Sequence, residues 1–224
     1  MLFVVSTPIG NLKDITFRAV ETLQEVDFII CEDTRVTSFL LNHYNIKKEL
    51  VSLNAASEVK KTEYITERIK RGEKAALVSD AGTPTISDPG IRLISALINI
   101  GVRICTIPGA SALTAALSIA GLPTDSFVFE GFPPQKKGRQ TFFRELSKEK
   151  RTVVLYESTY RIEKLLNDLV EFLPERYIVI CRELTKMFEE TVRGFPKDIL
   201  ERLDTLKLKG EFVIVISPIN WEVR

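Results

Sequence analysis

Short, uninterrupted apolar runs alternate with longer stretches of helical periodicity through the N-terminal half of the chain, and this alternation constrains the fold more than any other property. Leu2 to Ser6, Phe28 to Cys31, Leu50 to Leu53, Ala75 to Ser79 and Val102 to Ile107 read as strands. Asp14 to Val26, Arg35 to Tyr44, Ser57 to Arg71, Pro89 to Ile100 and Ala110 to Ala120 read as helices between them. A strand apolar at every position is buried on both faces, and strands separated by helices pair in parallel, so a mostly parallel sheet between helices is expected. Ser57 to Arg71 illustrates the helical pattern. Val59, Ile65 and Ile69 share one side, charged residues cover the rest, and Glu67 and Arg71 have the i,i+4 spacing of an ion pair.

The pattern changes after Gly121-Leu122-Pro123-Thr124-Asp125-Ser126, where breakers and turn formers predict a domain linker. Phe127 to Glu130, Thr152 to Tyr156, Tyr177 to Arg182, Glu190 to Arg193 and Glu211 to Ser217 read as strands, with helices near Lys137 to Ser147, Thr159 to Phe172 and Pro196 to Leu206. The link between Arg182 and Thr191 is short enough for an antiparallel neighbour. The expected architecture is two α/β domains, residues 1–121 with a mostly parallel sheet and 122–224 with a mixed sheet.

Composition excludes some functions and leaves others open. With 45% hydrophobic and 27% charged residues the chain can bury a core and is not a disordered sequence. A net charge of +1 gives no global signal for a polyanion, so local clusters must carry any case for nucleic acid. Cys31, Cys105 and Cys181 end or interrupt apolar runs at spacings that match no zinc or redox motif, which predicts buried, reduced thiols. No basic leader opens the chain and no apolar run approaches the roughly 20 residues of a membrane span, so a cytoplasmic protein without membrane association is expected.

The stretch Val78 to Gly90 (Val-Ser-Asp-Ala-Gly-Thr-Pro-Thr-Ile-Ser-Asp-Pro-Gly) joins a strand to a helix with paired glycines, paired prolines and two carboxylates, Asp80 and Asp88. With no lysine nearby, it suits a cationic ligand better than phosphate. An ordinary strand-to-helix turn, with Asp88 as N-cap and Pro89 in the first helical position, accounts for the same residues. Pro108-Gly109-Ala110-Ser111 is likewise a ligand loop or a turn capped by Ser111. Dinucleotide and P-loop glycine patterns are absent. His43, the single histidine, lies in a polar helix end and is read as a surface residue, which leaves histidine-based hydrolysis without support.

Taken in order, Ser6-Thr7-Pro8-Ile9-Gly10-Asn11-Leu12, Cys31-Glu32-Asp33-Thr34-Arg35, the Asp80 loop, Ile107-Pro108-Gly109-Ala110-Ser111-Ala112, Phe129-Glu130-Gly131-Phe132 and Arg182-Glu183-Leu184-Thr185-Lys186 form one series. In this series, which runs from about Leu2 to Pro218, the chain resembles the bacterial 16S ribosomal RNA ribose 2′-O-methyltransferases that act on a decoding-region cytidine, within the tetrapyrrole methylase superfamily. The resemblance implies S-adenosylmethionine bound in a cleft between the two domains. On this basis Pro8, Gly10, Asp80, Ala81, Gly82, Thr83, Ile86, Asp88, Pro108, Gly109, Ser111, Ala112, Glu130 and Leu184 are the expected cofactor residues. It also implies 16S rRNA in the 30S subunit as partner, and a homodimer. Many members continue beyond the strand that ends near Ser217, so an RNA contact made by such an extension is expected to be missing or replaced in a chain ending at Arg224.

Methyl transfer to a ribose hydroxyl needs in-line positioning, helped by a base or a cation at the oxygen. Lys186, Glu183, Asp33 and Arg35, charged and just beyond buried strands, are the expected catalytic residues, with desolvation lowering the pKa of Lys186 enough for it to act as a base. The alternative is that Arg35 and Lys186 bind phosphate or pair with Asp33 and Glu183. Lys136, Lys137 and Arg139 in the turn before Phe142-Phe143 are the expected RNA contacts, a solvated loop before core phenylalanines being the other reading. Tyr160 and Arg161 either line the same mouth or start a helix. Two other functions fit the same motifs: methylation of a small tetrapyrrole-type or modified amino-acid substrate, and a non-catalytic ribosome-binding module.

Overall fold

A computed structural model describes residues 1–54, 58–202 and 208–222, which divide into two packing units, Met1–Ser111 and Ala112–Arg224. The first holds β1 (Leu2–Val5), α1 (Phe17–Glu25), β2 (Phe28–Cys31), α2 (Thr34–His43), β3 (Glu49–Ser52), α3 (Glu58–Lys70), β4 (Ala75–Leu77), α4 (Ile91–Asn99) and β5 (Ile104–Ile107). The strands form a five-stranded sheet in the order β3-β2-β4-β1-β5, parallel at every pairing. Side chains alternate across the sheet, and β2 shows why its run has no polar position. Phe28 and Ile30 enter a core with Ile65, Ile69, Leu93 and Leu97 of α3 and α4. Ile29 and Cys31 enter a second core with Ala19, Leu23 and Leu41 of α1 and α2. Arg68 of α3 bonds to Glu49 at 2.7 Å and Glu73 at 2.5 Å, and its guanidinium lies 3.8 Å from the ring centre of Phe28.

The helices begin where capping chemistry allows, with one departure from the sequence pattern. Thr16 caps α1 by accepting from the Ala19 amide at 3.1 Å, and Asp33 caps α2 by accepting from the Arg35 amide at 2.8 Å. Asp88 and Pro89 do not start α4. The helix begins at Ile91 after Gly90, whose φ is 124°, and Glu58 Oε1 accepts from the Gly90 and Arg92 amides, both at 3.1 Å. A carboxylate from α3 thus satisfies free amides at the positive end of α4. The expected start of α3 at Ser57 lies outside the described residues.

The second unit holds α5 (Ala112–Ala120), β6 (Phe127–Gly131), α6 (Arg139–Leu146), β7 (Thr152–Ser158), α7 (Ile162–Phe172), β8 (Ile178–Arg182), β9 (Glu190–Gly194), α8 (Pro196–Glu201) and β10 (Glu211–Ile216). Helix α5 belongs with this unit because it packs against β10. The strand order is β6-β7-β10-β8-β9, with β6–β7 parallel and the other pairings antiparallel, a mixed sheet. Its main core joins Val153, Leu155, Ile178, Ile180, Ile214 and Ile216 to Phe143, Leu165, Leu166 and Leu169. Arg176, 6% exposed, fastens strand ends by donating to the carbonyls of Ser217 and Glu149. The expected extension of the last helix to Leu206 lies outside the described residues. Among the described residues no helix is long and apolar enough to cross a membrane.

Candidate active-site and ligand-binding loops

In the first unit, three chain segments from the C-terminal ends of β1, β4 and β5 meet. Thr7 and Gly82 exchange both backbone hydrogen bonds, at 2.9 and 3.0 Å. The Ser6 and Thr83 hydroxyls lie 2.9 Å apart, Thr83 donates to the Ala110 carbonyl at 3.4 Å, and Thr7 donates to the Ser79 carbonyl at 3.1 Å. The glycines serve this meeting of loops directly. A Cβ on Gly109 would stand 3.0 Å from the Ser6 Cβ, and one on Gly82, where φ is +84°, would stand 3.3 Å from Ile9 Cγ2. Space at both positions is occupied by the protein's own loops, so their small size first permits backbone convergence. Around this junction Pro8 is buried, Thr83 is half-buried, and Gly10, Ala81, Pro108 and Gly109 are exposed, as is Ile86. Thr85 and Ser87 both have left-handed φ, 71° and 67°, conformations that cost energy in a non-glycine residue and concentrate at functional loops.

Carboxylates gather at the same strand ends. Asp80 Oδ1 accepts from the Asp33 amide at 3.0 Å, joining the end of β4 to the end of β2. Burial raises the pKa of Asp80, Asp88 and Glu32, and neighbouring carboxylates add to the rise, Asp33 at Asp80, Asp80 at Asp88, and Asp80, Asp88 and Asp33 at Glu32. Among the described residues none of these three forms a salt bridge, because Arg35 turns to Asp33 at 2.5 Å. Ionised together in a partly desolvated place, they are relieved by a cationic ligand. Sulfonium and ammonium groups meet that requirement and phosphate does not. Among the described residues no three His, Cys, Asp or Glu side chains are arranged to hold a metal ion.

Asp33 itself is the helix cap and Arg35's partner. The hydrogen bonds from the Arg35 side chain and amide lower its pKa to about 2, so it is ionised and unsuited to accepting a proton near neutrality. Of the two sequence readings for Asp33 and Arg35, mutual pairing describes their geometry. His43 stacks edge-on against Tyr44, 4.8 Å between ring centres, and is exposed.

Glu183 and Lys186 lie together in the second unit, in the turn that follows β8. Glu183 and Thr185 have positive φ, 52° and 66°. The turn is fixed by the Thr185 amide donating to Glu189 at 2.6 Å and the Lys186 amide to the Glu183 carbonyl at 3.0 Å. Lys186 Nζ stands 2.9 Å from Glu183 Oε1 and 2.9 Å from Glu211 Oε2. The expected neutral amine is not what this geometry produces. Burial pushes the Lys186 pKa down, but the two carboxylates outweigh it and the net direction is up. Burial also pushes Glu183 up, and hydrogen bonds from Lys186 and the Glu211 amide bring it net down. The turn therefore presents a locked cation, and Glu211, the partner that the local sequence did not indicate, is held by strand pairing from far along the chain.

The remaining candidates separate. Lys136 and Lys137 are exposed. Arg139 is 4% exposed, paired with Asp168 at 2.6 Å, bonded to the Pro134 carbonyl at 2.9 Å and 5.1 Å from the Phe143 ring centre. Its charge is internally neutralised, which corrects the expectation that it contacts RNA. Glu130 is exposed at the register shift of β6, and Leu184 is buried. Ser111 and Ala112 flank the division between the units, Ala112 opening α5.

Likeness to proteins of known activity places the chain in the methyltransferase class. Residues 1–199 match the tetrapyrrole (corrin/porphyrin) methylases, and the chain belongs to that family. It is 44% identical over 216 residues to ribosomal RNA small subunit methyltransferase I of Thermotoga maritima, covering 96% of this chain and 97% of that one. It is 47% identical over 222 residues to the protein of the same name from a Hydrogenobaculum species, covering 98% and 96%. The solved structure of uroporphyrin-III C-methyltransferase from Thermus thermophilus, complexed with S-adenyl homocysteine, shares the fold with a TM-score of 0.66 at 16% identity over 96% of each chain.

Proposed function

We propose that this chain transfers a methyl group from S-adenosylmethionine to the 2′-hydroxyl of a cytidine ribose in the decoding region of 16S rRNA, acting on the 30S subunit. The observation that carries the substrate class is the near-full-length likeness to rRNA small subunit methyltransferases at 44% and 47% identity. S-adenosylmethionine, when bound, supplies a methyl group activated by a positively charged sulfur. In the first unit the loops at Pro8 to Gly10, Asp80 to Asp88 and Pro108 to Ser111 hold it. Asp80 and Asp88 provide negative charge for its cationic groups. As the oxygen–methyl bond forms and the sulfur–methyl bond breaks to leave neutral S-adenosylhomocysteine, Lys186 donates a hydrogen bond from Nζ to the ribose 2′-oxygen and stabilises the negative charge that develops there, Glu183 orients Nζ, and the hydroxyl proton passes to solvent water. Asp33 and Arg35 shape the end of β2 beside Asp80. The protein works in the cytoplasm as a homodimer.

Labelled-methyl transfer into 30S subunits lacking the modification, followed by nuclease mapping, tests this reading. Incorporation at a decoding-region cytidine supports it, and incorporation only into a small tetrapyrrole would replace it with the small-molecule alternative.

Two further results are expected. Calorimetry detects S-adenosylmethionine binding, and ligand at about 100 times its dissociation constant adds roughly 2.7 kcal/mol to stability. Gly82→Val abolishes this binding, because a branched side chain is strained at φ +84° and crowds Ile9 and the Ala110 carbonyl, forcing the junction open. Retained binding in that variant would show that the junction is not part of the cofactor site. In the substrate arm, Lys136→Ala with Lys137→Ala weakens 30S binding and lowers its salt slope by about one for each phosphate that a lysine neutralises. An unchanged slope would remove the pair from the RNA contact.

A further inference from the structure

The end of β6 and the start of α7 build an aromatic and cationic surface that the cofactor site and the Lys186 turn leave unused. Phe132, 49% exposed, meets Tyr156 edge-on with ring centres 5.7 Å apart, and Tyr156 in turn meets Phe129 at 4.9 Å. The Arg161 guanidinium lies 5.6 Å from the Phe132 ring centre. Arg161 is fixed there by Glu157 at 2.8 Å, a carboxylate whose side chain has no exposed surface. Tyr160 beside it is 95% exposed. The Pro133–Gly138 segment, which carries the exposed Lys136 and Lys137, is tied to the same helix by Lys164 Nζ donating to the Gln135 carbonyl at 3.0 Å. A half-exposed ring, held by Tyr156 and by the ion-paired Arg161 over it, with exposed lysines in the adjoining segment, combines the requirements for binding an unpaired nucleotide: a stacking face for the base and, from Lys136 and Lys137, positive charge for its phosphates.

We propose that Phe132, supported by Arg161 and Tyr160, is a stacking platform for an unpaired pyrimidine of the RNA substrate. This rests on the RNA-methyltransferase reading above. A protein partner would also cover exposed rings, but the adjacent Lys136 and Lys137 favour a polyanion.

The test uses the full chain and a cytidine-rich RNA hexamer with one fluorescent pyrrolo-cytidine, together with KM and kcat on 30S subunits and calorimetric affinity for S-adenosylmethionine. The wild type quenches the fluorophore on binding. Phe132→Leu loses roughly 5- to 150-fold in RNA affinity, the range expected for one stacked base, and raises KM with kcat little changed. Phe132→Trp restores both to within about threefold, which a purely structural role for the ring would not produce. Cofactor affinity is the same in all three proteins. The platform is overturned if the wild type gives no quench, if Phe132→Leu binds RNA and 30S subunits as the wild type does, or if its loss is in S-adenosylmethionine affinity, which would assign the ring to the adenine of the cofactor. If the wild type methylates no 30S subunits, the RNA reading itself fails and the platform falls with it. Normal 30S methylation with an unaffected Phe132→Leu variant rejects the platform alone.

Discussion

Lys186→Met lowers turnover on 30S subunits by about 10²- to 10⁴-fold, the range for losing a group that manages charge or protons in the transition state, while S-adenosylmethionine and 30S affinities stay near wild type. The expectation follows from how the amine is held. Glu183 and Glu211 each stand 2.9 Å from Nζ and keep it charged against the effect of burial, so the role proposed for it is hydrogen-bond donation to the substrate oxygen. The pH profile separates this from a neutral-amine mechanism. A lysine whose pKa is raised loses its proton only above the ordinary lysine range, near 10.4, so it contributes no rising limb between pH 6 and 9. The same sign applies to stability: the contribution of Lys186 is complete below its unfolded pKa and is lost as pH rises through the folded one, whereas that of Glu183, whose pKa is lowered, is present above its unfolded pKa and is lost as pH falls through the folded one. A rate loss below about tenfold would leave positioning alone to explain catalysis. A loss confined to 30S affinity would make Lys186 a phosphate contact.

The second large effect concerns stability. Asp168→Ala leaves the guanidinium of Arg139 buried without its counter-charge and costs about 3 to 5 kcal/mol, a drop in melting temperature of roughly 10 °C. Arg139 is 4% exposed and the Asp168 side chain 15%, so little solvent is available to compensate. Arg139→Met combined with Asp168→Leu recovers most of the loss, because a well-packed apolar pair replaces a buried ion pair at little net cost. Thermal melts of the three variants give the comparison. Well below its melting point Arg139→Met binds 30S subunits as the wild type does. Weakened RNA binding without a melting shift would return Arg139 to the substrate surface.

Arg139 also marks where sequence reading ends. Lys136-Lys137-Gly138-Arg139 has the composition of a solvated basic turn, and nothing local distinguishes the two exposed lysines from the arginine whose partner lies 29 residues away. The strands were legible because a parallel strand covered on both faces is apolar at every position, as Phe28 to Cys31 are. The order of the mixed sheet was not, since it depends on β10, the last strand in the chain, entering between β7 and β8. Capping followed the same division. Asp33 lies within reach of the α2 amides and two residues from Arg35, so their pairing is open to a local reading, whereas the cap of α4 comes from Glu58, 32 residues before Gly90. The candidate ligand loops stood out by their glycines, prolines and carboxylates. That Gly82 and Gly109 are filled against Ile9 and Ser6 required coordinates. The charge state of Lys186 turned on Glu211, 25 residues downstream, and so reversed the desolvation argument that its own segment suggested.

The central position of β10 has a consequence for biosynthesis. In the order β6-β7-β10-β8-β9 the strand formed by Glu211–Ile216 joins two ribbons that have no other pairing with each other. The first unit can complete its sheet once Ile107 has left the ribosome, because β5 is its final strand. The second cannot close until Ile216 has emerged, several seconds after Ser158 at ~5–20 residues per second. During that interval β7 and β8, apolar and destined for the middle of a sheet, each present an unpaired edge to the cytosol, the condition under which nascent chains associate wrongly. A slow stretch of translation before residue 211 would lengthen this exposure, and a fast one would shorten it, so codon choice there bears on yield independently of the stability of the finished protein.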